Sequence, residues 1–158
     1  GKENLFAGRC DVYTTDASGL SSTRAAAADP GKWLVLPEII SKEPLGPLVR
    51  HGDHQWGDVV RWSLNAMIIA EELGVSSENV DAQKSSNVPE VLRLLGVEGS
   101  YGEMLELAPD WAYQIIKQIG NYSESYEANV GPDTPLEIAR GLNALWTQGG
   151  ILYAPPFR

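Results

Sequence analysis

Few residues in this chain are of a type and spacing that could do chemistry, and Asp16 is the one to single out. It closes a short run rich in β-branched and aromatic residues, Asp11–Thr15, and precedes a run rich in alanine. In sheets built from strand–helix–strand units, ligands gather beyond the carboxyl ends of the strands. A carboxylate there can receive a cationic amine. The same residue can equally cap the helix that starts near Ser18, and the sequence leaves both roles open. His51-Gly-Asp53-His54 is the only histidine cluster. Its spacing crosses a turn rather than lying along one helix face, and further ligands are lacking, so no metal is expected; Asp53 reads as an N-cap. Ser18, Gly19 and Ser22 do not form a nucleophile elbow. No glycine-rich phosphate loop is present, so no nucleotide or other cofactor is expected. Glu71-Glu72 and the acids between Glu98 and Glu106 read as solvated helix faces. Trp62, Trp111 and Trp146 fall on apolar helix faces and are expected in the core, while Trp33 and Trp56 are undecided.

The elements that would position these residues change character along the chain. Lys2–Gly8 reads as the end of an element already in progress. Asp11–Thr15 is expected as a strand, Ser18–Ala28 as a helix ended by Asp29-Pro30-Gly31, and Trp33–Ile40 as a second, nearly all-apolar strand. That succession implies a parallel βαβ unit. Ser41–Pro47, with Pro44, Gly46 and Pro47, reads as an extended connection, and Leu48–Arg50 as a further short strand. Asp53 then opens a long helix whose apolar positions run from Val59 to Leu73 and which Gly74 ends. Shorter helices follow: one capped by Ser76 or Ser77 through Val80, one over Pro89–Leu95, one over Trp111–Ile119 capped by Asp110, and one over Tyr122–Val130. A last helix is expected from the Thr134-Pro135 start to about Trp146. Ile151–Arg158 is an extended tail. Strands therefore crowd the first third and helices fill the rest, an asymmetry expected of part of a larger α/β fold.

The totals set limits. The chain has 158 residues, about 43% of them apolar, enough for a sizeable core. Its 12 basic and 21 acidic residues leave a formal charge of −9, which argues against nucleic acid and against an anionic membrane surface. No window approaches the ~20 apolar residues of a membrane span. The single cysteine, Cys10, permits no internal disulfide; it reads either as a small buried hydrophobe or as a thiol whose partner lies elsewhere.

Four strings carry a family resemblance. Gly8-Arg-Cys-Asp-Val-Tyr-Thr-Thr-Asp16, continuing through Ser18-Gly19-Leu20, resembles the segment of type II periplasmic binding proteins for amino acids in which a carboxylate holds the ligand's α-amino group. Leu36–Pro47 resembles the run from the second lobe back toward the first. Asn143–Trp146 and Tyr153–Pro156 resemble the C-terminal end of the general L-amino-acid subgroup. The resemblance implies a partial two-lobed α/β fold, with residues 1–43 from the second lobe and 44–158 forming the crossover and the helical C-terminal part of the first. Family members are roughly twice this length. The family's arginine for the α-carboxylate and its threonine-rich loop have no matching position here, so only Asp16 carries over as a ligand-binding residue. The resemblance further implies a non-enzymatic, periplasmic solute-binding component that takes a free L-amino acid and delivers it to an ABC-transporter permease. Its subgroup implies that Cys10 is half of a lost disulfide. Incomplete sheets expose edges, so a homodimer or strand-swapped assembly is expected of this chain by itself. A dehydratase-type enzyme on the same fold and a ligand-sensing or interaction module are the rival readings.

Overall fold

The computed structural model describes residues 1–42 and 44–158; Glu43, at the expected lobe boundary, lies outside them. Eight α-helices are found among the described residues: α1 (Lys2–Phe6), α2 (Ala17–Ala25), α3 (His54–Glu72), α4 (Val80–Gln83), α5 (Pro89–Leu94), α6 (Tyr101–Met104), α7 (Trp111–Ile119) and α8 (Tyr122–Asn129). Three 3-10 turns span Pro30–Lys32, Gly141–Asn143 and Trp146–Gln148. The chain divides into two compact units. One comprises Gly1–Gly46 with Glu127–Ala139, and the other Pro47–Tyr126 with Arg140–Arg158.

The larger unit holds the core. Asp53 caps α3 as expected, its carboxylate accepting from the Trp56 N–H at 3.0 Å. The helix buries Ala66, Ile68, Ile69 and Ala70, the face set by its apolar spacing. It ends where Gly74 turns left-handed (φ +67°) and the Val75 N–H reaches back to the Ala70 carbonyl at 2.8 Å. α5 and α7 pack against α3 and bring in Val91, Leu94, Trp111, Ala112 and Ile116. Leu94, Leu95, Ile116, Val75 and Val80 are sealed from solvent. Each such side chain contributes about 1.5–3 kcal/mol by burial. The C-terminal tail returns to this core: Phe157 lies 5.3 Å from Trp62, 5.5 Å from Tyr101 and 6.1 Å from Trp111, ring centre to ring centre.

Polar ties hold the loops. Asn121 and Glu124 form a reciprocal capping box at the start of α8, with N–H to side-chain distances of 2.8 and 3.0 Å. Glu124 also accepts from the N–H and hydroxyl of Ser77, and buried Asn121 donates to the Val75 carbonyl. Burial pushes the Glu124 carboxyl up, but the hydrogen bonds from Ser77 and Asn121 outweigh it, and the group is held below its ordinary range. The start of α4 departs from expectation: neither Ser76 nor Ser77 caps it. The helix begins after Asn79, whose side chain accepts from the Ser76 N–H within the preceding turn.

The smaller unit has no buried large apolar side chain among the described residues. Phe6 and Trp33 meet edge to face at 5.2 Å, and Arg24 pairs with Glu137 at 2.7 Å. The expected βαβ unit is absent here: no strand is found among the described residues, and the one β-bridge joins Leu145 to Leu152 in the other unit. Asp11–Thr15, Trp33–Ile40 and Leu48–Arg50 are not strands, because a strand exists only by pairing its backbone groups with a neighbour. Their composition still bears the mark of burial, since Leu34, Leu36, Ile39 and Ile40 are 62–80% exposed.

The last expected helix, from Thr134 to about Trp146, is also absent. Thr134 bonds locally instead, donating to the Gly131 carbonyl and accepting from the Leu136 N–H. Glu137 (φ +53°) and Gly141 (φ +47°) then leave the helical region. Arg140 is drawn across to Glu71 rather than along a helix.

Candidate functional site

Asp16 stands at the N-terminus of α2 in extended geometry (φ −59°, ψ 155°). Its Oδ2 accepts from the Gly19 N–H at 2.7 Å and from the Ser18 hydroxyl at 2.6 Å. Its Oδ1 accepts from the Thr15 hydroxyl at 3.2 Å. The capping role left open by the sequence is therefore filled. The Ser18 hydroxyl, and then the Gly19 N–H, hold the carboxyl below its ordinary range, against a smaller upward push from burial. The positive end of the helix dipole favours the same ionised form. Gly19 makes the close approach possible: a Cβ there would sit 3.0 Å from both Asp16 Oδ1 and Thr15 Cγ2.

The result is a fixed, half-buried anion at the start of a helix. A carboxylate offers about four lone-pair directions, and three donors are engaged here, the weakest on Oδ1. A further charge-assisted bond to an ammonium is thus compatible with the cap. Thr15, Ser18 and Gly19 were not singled out with Asp16 by sequence; their signal was the Thr-Asp-x-Ser-Gly spacing, typical of a cap with a side-chain turn.

The other candidates are placed differently. His51 and His54 are exposed, and no group of three or more His, Cys, Asp or Glu side chains gathers among the described residues. Glu71 is not a solvated face residue: its side chain is 9% exposed and accepts from Arg140 Nη2 at 3.0 Å on both oxygens. The acids Glu98, Glu103 and Glu106 are exposed. Trp111 is buried and Trp62 packs on the core, but Trp146 is 52% exposed, because the helix expected to turn it inward does not form. Cys10 is a half-buried free thiol. No helix among the described residues is long and apolar enough to cross a membrane.

No family model matches the chain. Individual proteins do. The chain is 54% identical, over all of its own length and 47% of the relative's, to the glutamate/glutamine/aspartate/asparagine-binding protein BztA of Rhodobacter capsulatus. It is 56% identical, over 96% of itself and 45% of the relative, to the general L-amino acid-binding periplasmic protein AapJ of Rhizobium johnstonii. Among solved structures it resembles an ABC transporter/periplasmic binding protein from Brucella ovis with glutathione bound. That match has a TM-score of 0.93 and 50% identity, covering 99% of this chain and 50% of the other. The chain spans about half the length of the curated relatives it matches.

Proposed function

Because the chain belongs with the periplasmic amino-acid-binding proteins of ABC transporters, of whose length it spans about half, we propose that it acts as one half of such a protein. The whole protein captures an amino acid in the periplasm and delivers it to a membrane permease, as a binding component rather than an enzyme. In this reading residues 1–43 belong to the second lobe and 44–158 to the crossover and the first lobe.

The carrying observation is the Asp16 carboxylate, fixed and ionised by three donors at the start of α2. It receives the ligand's α-ammonium. The ligands named for the relatives support this chemistry. Glutamate, glutamine, aspartate, asparagine and glutathione differ in size, yet all present one carbon bearing both an ammonium and a carboxylate. We place that shared end at Asp16, with the α-carboxylate and the side chain recognised by the other half. The exposed apolar side chains Leu34, Leu36, Ile39, Ile40, Leu45, Leu48 and Val49 pair with the other half in the whole protein, and with a second copy when this chain stands alone.

Calorimetric titration of the full-length protein with these five ligands tests the reading. Asp16→Asn separates the two roles, since asparagine caps a helix as well as aspartate does but carries no charge. The expected result is intact folding with affinity weakened on the order of 30-fold or more, the cost of a buried ammonium without its partner. No heat with any ligand sinks the transport reading. Unchanged affinity in Asp16→Asn sinks only the role of Asp16.

A further inference from the structure

The larger unit carries a second built surface, around the turn that joins Leu142 to Tyr153. Four backbone bonds span it, besides the local ones within Leu145–Gly149: Ile151 N–H to the Leu142 carbonyl (2.9 Å), Leu152 N–H to Ala144 (3.1 Å), Trp146 N–H to Leu152 (2.9 Å) and Gly150 N–H to Leu145 (3.0 Å). Leu145 anchors it from below at 2% exposure. The same rigid turn holds four large apolar side chains out in solvent: Leu142 (55% exposed), Trp146 (52%), Ile151 (70%) and Tyr153 (66%). Ordering that much apolar surface outward costs hydration free energy, and such patches mark contact sites.

The chemistry of the surface is specific. Trp146 and Tyr153 meet edge to face at 5.9 Å and, with Ile69, Leu73 and Phe157, line a cleft of about 210 Å3. Glu72 and Glu90 also line it. Glu90 is paired with Arg93 at 3.4 Å. Glu72 has no ion-pair partner among the described residues; it accepts only from the Trp146 indole N–H, at 3.3 Å, which holds the carboxylate beside the ring. Two aromatic faces with an unpaired carboxylate, on a chain of net charge −9, complement a cation with a flat apolar face. A guanidinium meets that description, since it stacks on aromatic rings and bonds a carboxylate in a fork.

We propose that this cleft is a docking site for an arginine side chain on a partner polypeptide, with the flanking Leu142 and Ile151 receiving apolar residues next to that arginine. Leu142 and Ile151 are exposed on the same turn but do not line the cleft, so they offer a polypeptide segment contacts that a free guanidinium compound in the cleft would not use. The site lies on the larger unit and does not depend on amino-acid capture at Asp16.

The test follows the indole N–H resonances of the 15N-labelled chain during titration with three probes: acetyl-Leu-Arg-Leu-amide, acetyl-Leu-Gln-Leu-amide and acetyl-arginine-methylamide. Trp146→Phe assigns the reporter. The expected result is a saturable shift of the Trp146 signal with the arginine tripeptide and none with the glutamine tripeptide. Acetyl-arginine-methylamide should bind at least tenfold more weakly. Glu72→Gln, an exposed replacement whose folding is checked by the other four indole signals, should weaken the tripeptide at least tenfold. An equal response to the glutamine peptide, or unchanged binding in Glu72→Gln, overturns the guanidinium assignment. Equal affinity for acetyl-arginine-methylamide overturns the polypeptide partner and leaves a small-molecule site.

Discussion

Removing the Arg140 guanidinium should destabilise the larger unit by about 3 kcal/mol, the penalty for leaving a shielded carboxylate without its cation. Arg140 Nη2 lies 3.0 Å from both oxygens of Glu71, and the two side chains are only 16% and 9% exposed. The guanidinium also donates to the Asn143 carbonyl from Nε (3.1 Å) and Nη2 (2.9 Å). Its carbon sits 5.3 and 5.2 Å from the rings of Tyr122 and Tyr126. An exposed ion pair would contribute at most about 1 kcal/mol. Breaking a buried pair by removing one partner costs about 3–5 kcal/mol, and the residual exposure here puts the lower end of that range in force. Arg140→Met keeps the stem volume and removes the charge. Urea unfolding followed by tryptophan fluorescence measures the loss. With a slope of about 1.5 kcal/mol per molar, the midpoint should fall by roughly 2 M. The companion variant is decisive: Arg140→Met with Glu71→Leu removes both charges and should recover much of the lost stability. A loss below about 1 kcal/mol for Arg140→Met, or strict additivity of the two changes, would refute the claim that this pair is energetically buried.

Two other expectations follow from local geometry. Asp16 should titrate below the ordinary aspartate value of about 3.9, and Ser18→Ala should move it back up, since the Ser18 hydroxyl is the largest cause of the depression. The lowered folded value means that the carboxylate's contribution to stability is present above the unfolded value and disappears as pH falls through the folded one. Carboxyl 13C shifts against pH report both; an Asp16 titration unmoved by Ser18→Ala refutes the assignment. Gly150→Ala would drive a Cβ into the Ala144 carbonyl oxygen, so the turn must open. We expect about 1–3 kcal/mol of lost stability together with a displaced Trp146 indole signal. Unchanged stability together with an unchanged signal would show that the turn yields without cost.

The long helix α3 was legible because its cues are local and agree. Asp53 at its start, the apolar spacing from Val59 to Leu73 and Gly74 at its end all act within a few residues. Helix backbone bonds close within the segment, so α3, α5 and α7 need only a face to bury. The strands were not legible in the same sense. Asp11–Thr15 and Trp33–Ile40 have the composition of buried strands, but a ladder requires a neighbour, and in this chain those residues pair with none and most of them are exposed. The stretch after Thr134 misled for a related reason. Its cap-like start and apolar spacing favour a helix, but the hydroxyl of Thr134 closes a turn and Glu71 captures Arg140 from outside the segment.

The same division applies to the candidate sites. By itself the sequence determined the identity of the carboxylate at 16, its place before a helix and its likeness to a ligand-holding family position, because each of these is a matter of adjacent residues. Only the tertiary structure decided that Glu71 is shielded by Arg140, that Trp146 faces solvent beside Tyr153, and that Glu72 stands against the indole. Those pairs are separated by 69, 7 and 74 positions. Charge and hydropathy mark each member as polar or apolar, but which partner a side chain meets depends on where the backbone returns, and that is set by packing on the α3 core.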